Sequence, residues 1–307
     1  EKLAVGSVNR ARSSSSGIGG KGQGAFVASL QLAQAEAATG ARGSPSPRLC
    51  MFLGSGREGD LLGEHLGCRT GASDLDVLWK RAASPCRICT TLVESSTGDA
   101  TEIVEPSGRV STEEWETLLQ SLRSSFALGK VAALAICGTA PPGVPTDGYS
   151  QIVQCICGPQ TCVVVDSVVD VRGTLQAAKE VTKGNGHVMV KLNAREILKL
   201  AGRELAGSDS QVPADPAKVA EAFSEFGADT TGSGFIADYV CFTDGPFPGG
   251  VIAMRSGRRW KLERTQPLRA PVVSPIGAGD ATTAGTLHAW SRAPWNLLEG
   301  ATDGSED

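Results

Sequence analysis

Apolar residues are concentrated in short continuous runs that alternate along the chain with segments of helical periodicity. Runs rich in Val, Ile and Leu predict β-strands at 44–55, 130–138, 161–167, 186–192 and 238–244. Amphipathic patterns predict α-helices at 59–68, 111–126, 172–183, 193–201 and 214–226. Because a strand that is apolar on both faces must be covered on both, this order predicts a mostly parallel central sheet between two layers of helices. Such an arrangement is a Rossmann-like three-layer α/β sandwich.

The segment 76–107 departs from this pattern. It mixes polar and β-branched residues with turn signals, which is typical of exposed antiparallel strands. We predict a single domain over residues 1–298, with a small β-strand lid whose strands are drawn from about 1–18 and 76–107. The acidic tail, 299–307, is predicted to be disordered.

Composition and charge exclude two classes of partner. The 307 residues are 41% hydrophobic and 20% charged, proportions typical of a soluble globular protein with a sizeable core. The net charge of -4 gives no general attraction to nucleic acid or anionic lipid, and no apolar run approaches the length that crosses a bilayer. We expect no nucleic-acid or membrane partner, so any anion site must be built locally from a few cations and backbone amides.

The nine cysteines are an odd number and lie mostly in apolar runs, which favours reduced core thiols over a disulfide framework. This usage predicts a cytoplasmic protein, and a plastid stroma fits equally if a transit peptide has been removed. Cys86 and Cys89 form an isolated C-x-x-C pair without a second pair nearby, so a zinc or redox site is disfavoured. The three histidines are far apart, which argues against a histidine-based hydrolase.

Four unusual clusters directly follow or end predicted strands, where ligands bind in open parallel sheets. They are "CGTAPPG" at 137–143, "KLNAREI" at 191–197, "TDGPFPGG" at 243–250 and "PIGAGD" at 275–280. Each cluster alone could be a turn, but their shared position predicts one site at this edge of the sheet.

The last cluster combines a flexible backbone with a carboxylate. Gly277, Ala278 and Gly279 leave the main chain open to an anion, and their N–H groups at a helix start would form a positively polarised cup. Asp280 would lie in the first helical turn, where it could orient a hydroxyl and accept its proton during phosphoryl transfer. A plain capping Asp after a glycine-rich turn would give the same pattern.

A glycine-rich segment near the start, "GIGGKGQG", matches G-x-G-x-x-G at Gly17, Gly19 and Gly22. No apolar strand precedes it, so a dinucleotide fingerprint and a nicotinamide oxidoreductase are disfavoured. What remains is a glycine turn that opens a helix and carries Lys21. Such a turn could hold a sugar or phosphate, or it could simply be tight.

Lys191, Asn193 and Glu196 form a K-x-N-x-x-E pattern. Asn193 and Glu196 share one face if the segment is helical. A carboxylate beside a triphosphate predicts an indirect, water-mediated contact to Mg²⁺, because this ion keeps several of its waters. A capped helix with a solvated face is the alternative.

Together these pieces resemble the PfkB (ribokinase-like) carbohydrate kinase family over roughly residues 6 to 290. "GGKG", "CGTAPPGVP", "KLNAREI", "FTDG" and "PIGAGDATTAG" fall in the family order. "GSVNRA", "RICTTL", "TEIVEPSG" and "APPGVP" look like the branch of 1-phosphofructokinases and tagatose-6-phosphate kinases. The resemblance implies a ribokinase-like fold, ATP as the donor, Mg²⁺ as the helper ion, and a phosphorylated sugar as the acceptor: fructose 1-phosphate, fructose 6-phosphate or tagatose 6-phosphate.

The resemblance also implies roles for individual residues. Asp280 takes the position of the catalytic base, and Gly277, Ala278 and Gly279 that of the anion hole. Lys191, Asn193, Thr243 and Gly245 fall at positions facing the nucleotide phosphates, and Glu196 faces the metal through water. Gly19, Gly20, Lys21 and Arg87 face the sugar phosphate, with Arg10 as a further candidate. Lid strands in this family often pair between subunits, which implies a homodimer.

Three features differ from the family pattern. Gly24 stands where the family usually has an Asn whose amide helps hold the sugar. The family's first strand, which carries a sugar-binding Asp, would precede Glu1. The 27 residues after Asp280 (307 minus 280) are fewer than the helices that normally wall the adenine site contain. These differences motivate an alternative, a catalytically weak or inactive PfkB-like subunit with a structural or regulatory role.

Overall fold

The computed structural model describes residues 6–17, 19–40, 46–70, 77–95, 100–126, 131–183, 187–203, 213–229, 234–255, 259–265 and 277–291. The helices are α1 (Lys21–Ala38), α2 (Gly56–Thr70), α3 (Thr112–Ser125), α4 (Gly148–Ile156), α5 (Val171–Thr182), α6 (Ala194–Leu200), α7 (Pro216–Gly227) and α8 (Ala278–Trp290). The strands are β1 (Leu49–Ser55), β2 (Val77–Pro85), β3 (Cys89–Val93), β4 (Ala100–Val104), β5 (Ala133–Cys137), β6 (Cys162–Asp166), β7 (Val188–Asn193), β8 (Tyr239–Asp244), β9 (Phe247–Arg255) and β10 (Arg259–Arg264). The predicted tail, 299–307, lies outside the described residues.

The largest sheet has six strands in the order β10-β9-β8-β7-β6-β5. Neighbours from β5 to β8 are parallel, whereas β9 and β10 continue the sheet antiparallel. The mostly parallel sheet with helical layers confirms the predicted fold class.

Both faces of this sheet are covered, as the apolar strands require. In β6, Val163 and Val165 pack into the larger core with α3, α4, α5 and α7, while Val164 packs into a second core that includes Trp290 of α8. All three valines are 0% exposed. Because successive side chains of a strand point to opposite faces, a run of buried valines needs a helical layer on each side.

Strand β5 ends the six-stranded sheet, and β1 lies beyond it in a separate parallel pair with β2. A cavity of about 1190 Å³ separates the facing edges of β1 and β5. Its walls include Leu49 and Met51 from β1 and Leu134 and Ile136 from β5, and it extends to Lys21 at the start of α1.

The two segments predicted to supply lid strands differ in structure. Strands β3 and β4 form an exposed antiparallel hairpin within 76–107, but β2 pairs parallel with β1. Residues 6–17 of the segment predicted from about 1–18 contain no strand, and residues 1–5 and 18 lie outside the described residues. Residues 6–17 are exposed and rich in serine. This part of the chain therefore has no apolar face that could be buried by pairing with another β-strand. The boundaries of the single domain, 1–298, stay a prediction.

Among the described helices, none combines the length and the apolar character that crossing a bilayer requires.

Candidate functional site

Asp166 lies at the centre of a charged cluster at the carboxyl end of β6. Its Oδ1 accepts a hydrogen bond from Lys21 Nζ at 2.9 Å, and its Oδ2 accepts from Lys191 Nζ at 2.9 Å. Thr283 Oγ1 donates to the same Oδ2, also at 2.9 Å. Asp166 is 0% exposed. Two ammonium groups and a hydroxyl therefore replace the water that would otherwise hydrate its carboxylate. Three separate elements, α1, β7 and α8, therefore meet at this one side chain.

The cluster holds Lys21 in the charged form. Burial disfavours a charged Lys21, but the hydrogen bond and the charge of Asp166, with smaller contributions from Glu196 and Asp280, raise its pKa above the ordinary value. The Lys21 side chain is 40% exposed, whereas that of Lys191 is 4% exposed. One ammonium group therefore reaches solvent and the other is enclosed.

Helix α8 begins as predicted, with Asp280 in its first turn. Gly277 is the N-cap and has a φ of +85°, a left-handed conformation that glycine adopts without strain. The first N–H groups of a helix have no partner within the helix. The amides that follow Gly277 therefore form the open, positively polarised end of a 13-residue helix. Residues 275 and 276 of the predicted loop lie outside the described residues.

Lys191 approaches this helix end closely. A Cβ added to Gly279 would lie 2.9 Å from Lys191 Nζ, so the ammonium group rests against the backbone of the first turn. A side chain at position 279 would displace the ammonium group of Lys191. The close contact therefore explains why glycine occupies this position. The helix end thus combines backbone donors with a fixed positive charge.

The carboxylate of Asp280 lies against helix α1 at Gly24. A Cβ added to Gly24 would clash with Oδ2 and would lie 2.8 Å from Cγ, which a real carbon atom does not tolerate. An Asn at this position would therefore push the carboxylate out of its place. The sequence shows Gly24 as a departure from the family pattern. In the structure, the absence of a side chain at Gly24 leaves the space that the Asp280 carboxylate occupies.

Asp280 is half-buried and its pKa is raised. Burial is the main cause, and the charge of Asp166 adds to it, while Lys191 and Lys21 oppose both. No side-chain hydrogen bond joins Asp280 to any residue that the structure describes.

Asn193 and Glu196 form a capping box at the start of α6. Asn193 Oδ1 accepts from the Glu196 amide at 2.8 Å, and Glu196 Oε2 accepts from the Asn193 amide at 2.9 Å. The capped helix that the sequence left as an alternative is thus observed. Across the sheet, Asn193 pairs with Thr243, and Gly245 follows in a turn with a φ of +57°. These three residues therefore lie at neighbouring strand ends.

The residues predicted to face a sugar phosphate are only partly brought together. Gly19, Gly20, Lys21 and Arg87 line the cavity between β1 and β5, and Arg87 Nη1 donates to Ser107 Oγ at 2.8 Å. Gly20 has a φ of +107°, which requires glycine at the entry to α1. Arg10 is exposed in the irregular segment 6–17 and does not line this cavity.

The cysteine pair has no metal-site geometry. Cys86 Sγ accepts from the Gly54 amide at 3.1 Å, while Cys89 is exposed on β3. Burial raises the pKa of Cys137 to about 12 and that of Cys241 to about 11, so these thiols stay protonated. Across the described ranges, no group of three or more His, Cys, Asp or Glu residues is arranged to hold a metal ion.

Comparisons with known proteins agree with this architecture. The sequence model of the pfkB family carbohydrate kinases matches residues 1–302. ATP-dependent 6-phosphofructokinase isozyme 2 from Mycobacterium tuberculosis is 25% identical over 217 residues, which cover 71% of this chain. The match spans only 56% of the length of that relative.

Solved structures share the fold at lower sequence identity. The tetrameric inhibited form of phosphofructokinase-2 from Escherichia coli superposes with a TM-score of 0.66 at 20% identity, covering 95% of this chain and 82% of that one. Its complex with fructose-6-phosphate gives 0.60 at 20% identity, covering 89% and 76%. A possible 1-phosphofructokinase from Thermotoga maritima gives 0.63 at 16% identity, covering 97% and 82%. With its three-layer fold and a family match over almost its whole length, the chain belongs to the pfkB family of carbohydrate kinases.

Proposed function

We propose that this protein transfers the γ-phosphoryl group of ATP to a hydroxyl of a phosphorylated sugar. One observation carries the proposal: the Asp280 carboxylate, which no described side chain bonds, and the Lys191 ammonium group meet at the open N-terminus of α8. A base, a cation and a set of backbone donors are the parts that phosphoryl transfer needs. Membership of the pfkB family and the likeness to phosphofructokinases support the same reaction.

The amides of Gly277, Ala278 and Gly279 act as the anion hole. During transfer, negative charge is spread over the equatorial oxygens of the migrating phosphoryl group. Backbone N–H groups at a helix start are fixed before the reaction begins, so they stabilise this charge without reorganising. Lys191, held against Gly279, adds a full positive charge at the same place.

Asp280 acts as the base. Its carboxylate orients the acceptor hydroxyl in line with the phosphoryl group and accepts the proton as the new O–P bond forms. The raised pKa strengthens it as a base, because a more basic carboxylate accepts a proton more readily. The reaction then requires the ionised form, so activity falls as the pH drops through the pKa of Asp280.

The nucleotide phosphates bind between Lys191 and the strand ends at Asn193, Thr243 and Gly245. Glu196 fits an indirect role toward Mg²⁺, because one of its oxygens holds the Asn193 amide and the carboxylate is only partly exposed. A single such carboxylate suits an ion that keeps its waters and takes its other ligands from phosphate. When bound with ATP, Mg²⁺ neutralises charge on the phosphate oxygens.

Lys21 and Arg87 give the acceptor side its positive charge, and Gly19 and Gly20 let the backbone approach the ligand. Both cations line one cavity, which favours an acceptor that already carries a phosphate over a neutral sugar. The candidate acceptors are fructose 1-phosphate, fructose 6-phosphate and tagatose 6-phosphate.

A panel of acceptors tests this function. ATP consumption would be followed with the three sugar phosphates, with free fructose and with ribose, at saturating Mg²⁺. Turnover with a sugar phosphate at a kcat/KM well above that of free fructose supports the proposal. Turnover with unphosphorylated sugars alone would contradict the acceptor class. No turnover, together with no MgATP binding by calorimetry, would instead favour a structural or regulatory subunit.

Replacing Arg87 with Gln is expected to raise KM for the sugar phosphate by about tenfold or more, because a charge-assisted hydrogen bond contributes about 1.5–3 kcal/mol. The kcat should change much less, and any residual rate with free fructose should not change. Arg109→Gln is the matched control, because Arg109 is also exposed but does not line the cavity. Equal KM values for the wild type and Arg87→Gln would remove Arg87 from the acceptor site.

We further propose that the hairpin of β3 and β4 is covered by a second copy of the chain. A two-stranded hairpin is marginally stable by itself. This one exposes Val93, Ile103 and Val104 by 60%, 57% and 51%. Ile103→Lys should shift a dimer toward monomer in sedimentation velocity at micromolar concentration. Gln120→Lys, exposed on α3 and outside the hairpin, is the control for added charge, and an identical oligomer in all three proteins would exclude this interface.

A further inference from the structure

The proposed reaction assigns no task to Asp166, although it is the most constrained charged side chain of the site. It is completely buried, and both of its oxygens are occupied by charged or hydroxyl donors. A buried ion pair is weak evidence for stability, because apolar residues of similar volume stabilise a core equally well or better. Stability alone therefore does not explain why a carboxylate is buried at this position, and we look for a functional explanation.

The connections of Asp166 indicate that reason. Oδ1 holds Lys21, which belongs to the acceptor side, and Oδ2 holds Lys191, which belongs to the nucleotide side. The Thr283 hydroxyl, which donates to Oδ2, also lies 3.3 Å from the Gly279 carbonyl oxygen in the first turn of α8. One carboxylate thus joins both proposed substrate sites to the helix end that would receive the phosphoryl group.

We propose that Asp166 is a positioning residue that couples the acceptor and nucleotide sites by holding Lys21 and Lys191 as one unit. This inference rests on the proposed function, which places the two lysines on different substrates. An anion that binds Lys21 fixes one oxygen of Asp166, and through the rigid carboxylate it fixes Lys191 at Gly279. Each substrate therefore prepares the site for the other, and the coupling must act equally in both directions.

A second carboxylate–lysine pair provides a matched comparison. Asp238 accepts from Lys179 Nζ at 2.6 Å and from the Val188 amide at 2.9 Å. It lies at the amino end of β8, away from the carboxyl ends where the site is built, and it bridges no candidate site residues. Removing its charge disturbs an ion pair without breaking the proposed connection between the two sites.

The deciding experiment is calorimetry with a non-hydrolysable ATP analogue and Mg²⁺, in the absence and presence of fructose 6-phosphate. In the wild type, the sugar phosphate should tighten analogue binding by about fivefold or more, within the usual range of coupling between sites. Asp166→Asn should reduce this factor to below about twofold, whereas Asp238→Asn should retain it. Full coupling in a folded Asp166→Asn variant would overturn the proposal.

A kinetic measurement separates positioning from a merely structural role. Asp166→Asn should lower kcat by about 10²-fold, the effect expected of a small misplacement of reacting groups. The acid limb of its pH profile should also move to lower pH. Burial and the charge of Asp166 raise the pKa of Asp280, Lys191 and Lys21 oppose this, and the nearby Cys137 thiol is uncharged. An unmoved acid limb, equal to that of Asp238→Asn, would contradict the positioning role.

If Asp166→Asn does not fold, Thr283→Val keeps the shape and removes the hydroxyl that bonds Oδ2 and lies 3.3 Å from the Gly279 carbonyl oxygen. It should still lower the coupling factor, and wild-type coupling in this variant would overturn the proposal. Failure of the proposed function gives a different result. In that case the wild type transfers no phosphoryl group to sugar phosphates. If the wild type does turn over but shows no coupling between the two substrates, only the proposal for Asp166 fails.

Discussion

Replacing Asp280 with Asn is expected to lower kcat for phosphoryl transfer by about 10²- to 10⁴-fold, the range that general bases contribute. The amide has the same shape as the carboxylate, so it fits the place against Gly24, but it cannot accept the proton of the acceptor hydroxyl. MgATP affinity should change little, because the proposed nucleotide contacts come from other residues. The variant should therefore bind both substrates and fail at the chemical step.

The measurement pairs steady-state kinetics with calorimetry on the same preparation. Glu116→Gln is the control for loss of a carboxylate, since Glu116 is exposed on α3 and lies outside the site. It should have wild-type kcat and wild-type affinity. An Asp280→Asn variant with kcat equal to that of the wild type would show that another group takes the proton.

Replacing Lys191 with Met should have the largest effect on stability among the site residues. Lys191 is 3% exposed, and its ammonium group meets the completely buried carboxylate of Asp166. Removing one partner of a buried ion pair costs about 3–5 kcal/mol, because the other charge stays buried without compensation. Lys21 still contacts the carboxylate, so we expect a loss of about 3 kcal/mol, at the lower end of this range.

The same change should weaken MgATP binding, because the charge next to Gly279 is lost. Urea unfolding gives the free energy of unfolding, and calorimetry below the transition gives the affinity. Lys199→Met is the matched control, since Lys199 is exposed in the last turn of α6 and should change stability by less than about 0.5 kcal/mol. Equal stability of Lys191→Met and Lys199→Met would show that the Lys191–Asp166 pair contributes nothing to folding.

The buried part of the fold is predicted from local patterns, and its antiparallel end is not. Continuous apolar runs identify β5 to β8, because strands with two covered faces carry no polar alternation. The run over β9 contains Pro248 and two glycines, which weaken a strand pattern, and β10 carries only two apolar residues among six, so its alternation is too short to stand out. Helix α4 starts at a glycine after a proline-rich loop and has only nine residues, which leaves little periodicity to detect.

The site is predicted where its chemistry depends on local sequence. Asp280 follows from its glycine-rich entry, and Lys191 follows from its place at the end of an apolar strand. Asp166 was missed, although a lone carboxylate that ends the run "TCVVVD" carried a signal. Its contacts include Lys21 and Thr283, which are 145 and 117 residues away in sequence. No local pattern contains that information. The steric reason for Gly24 is likewise visible only in the packing of α1 against α8.

The most direct test of the central claim is the crystal structure of this protein with ADP, Mg²⁺, aluminium fluoride and the sugar phosphate that it phosphorylates best. The fluoride group mimics the migrating phosphoryl. We predict that it accepts hydrogen bonds from the amides of the first turn of α8, with an oxygen of Asp280 within hydrogen-bond distance of the acceptor hydroxyl. Fluoride density away from Gly277–Gly279, or a carboxylate of Asp280 turned from the acceptor, would contradict the account.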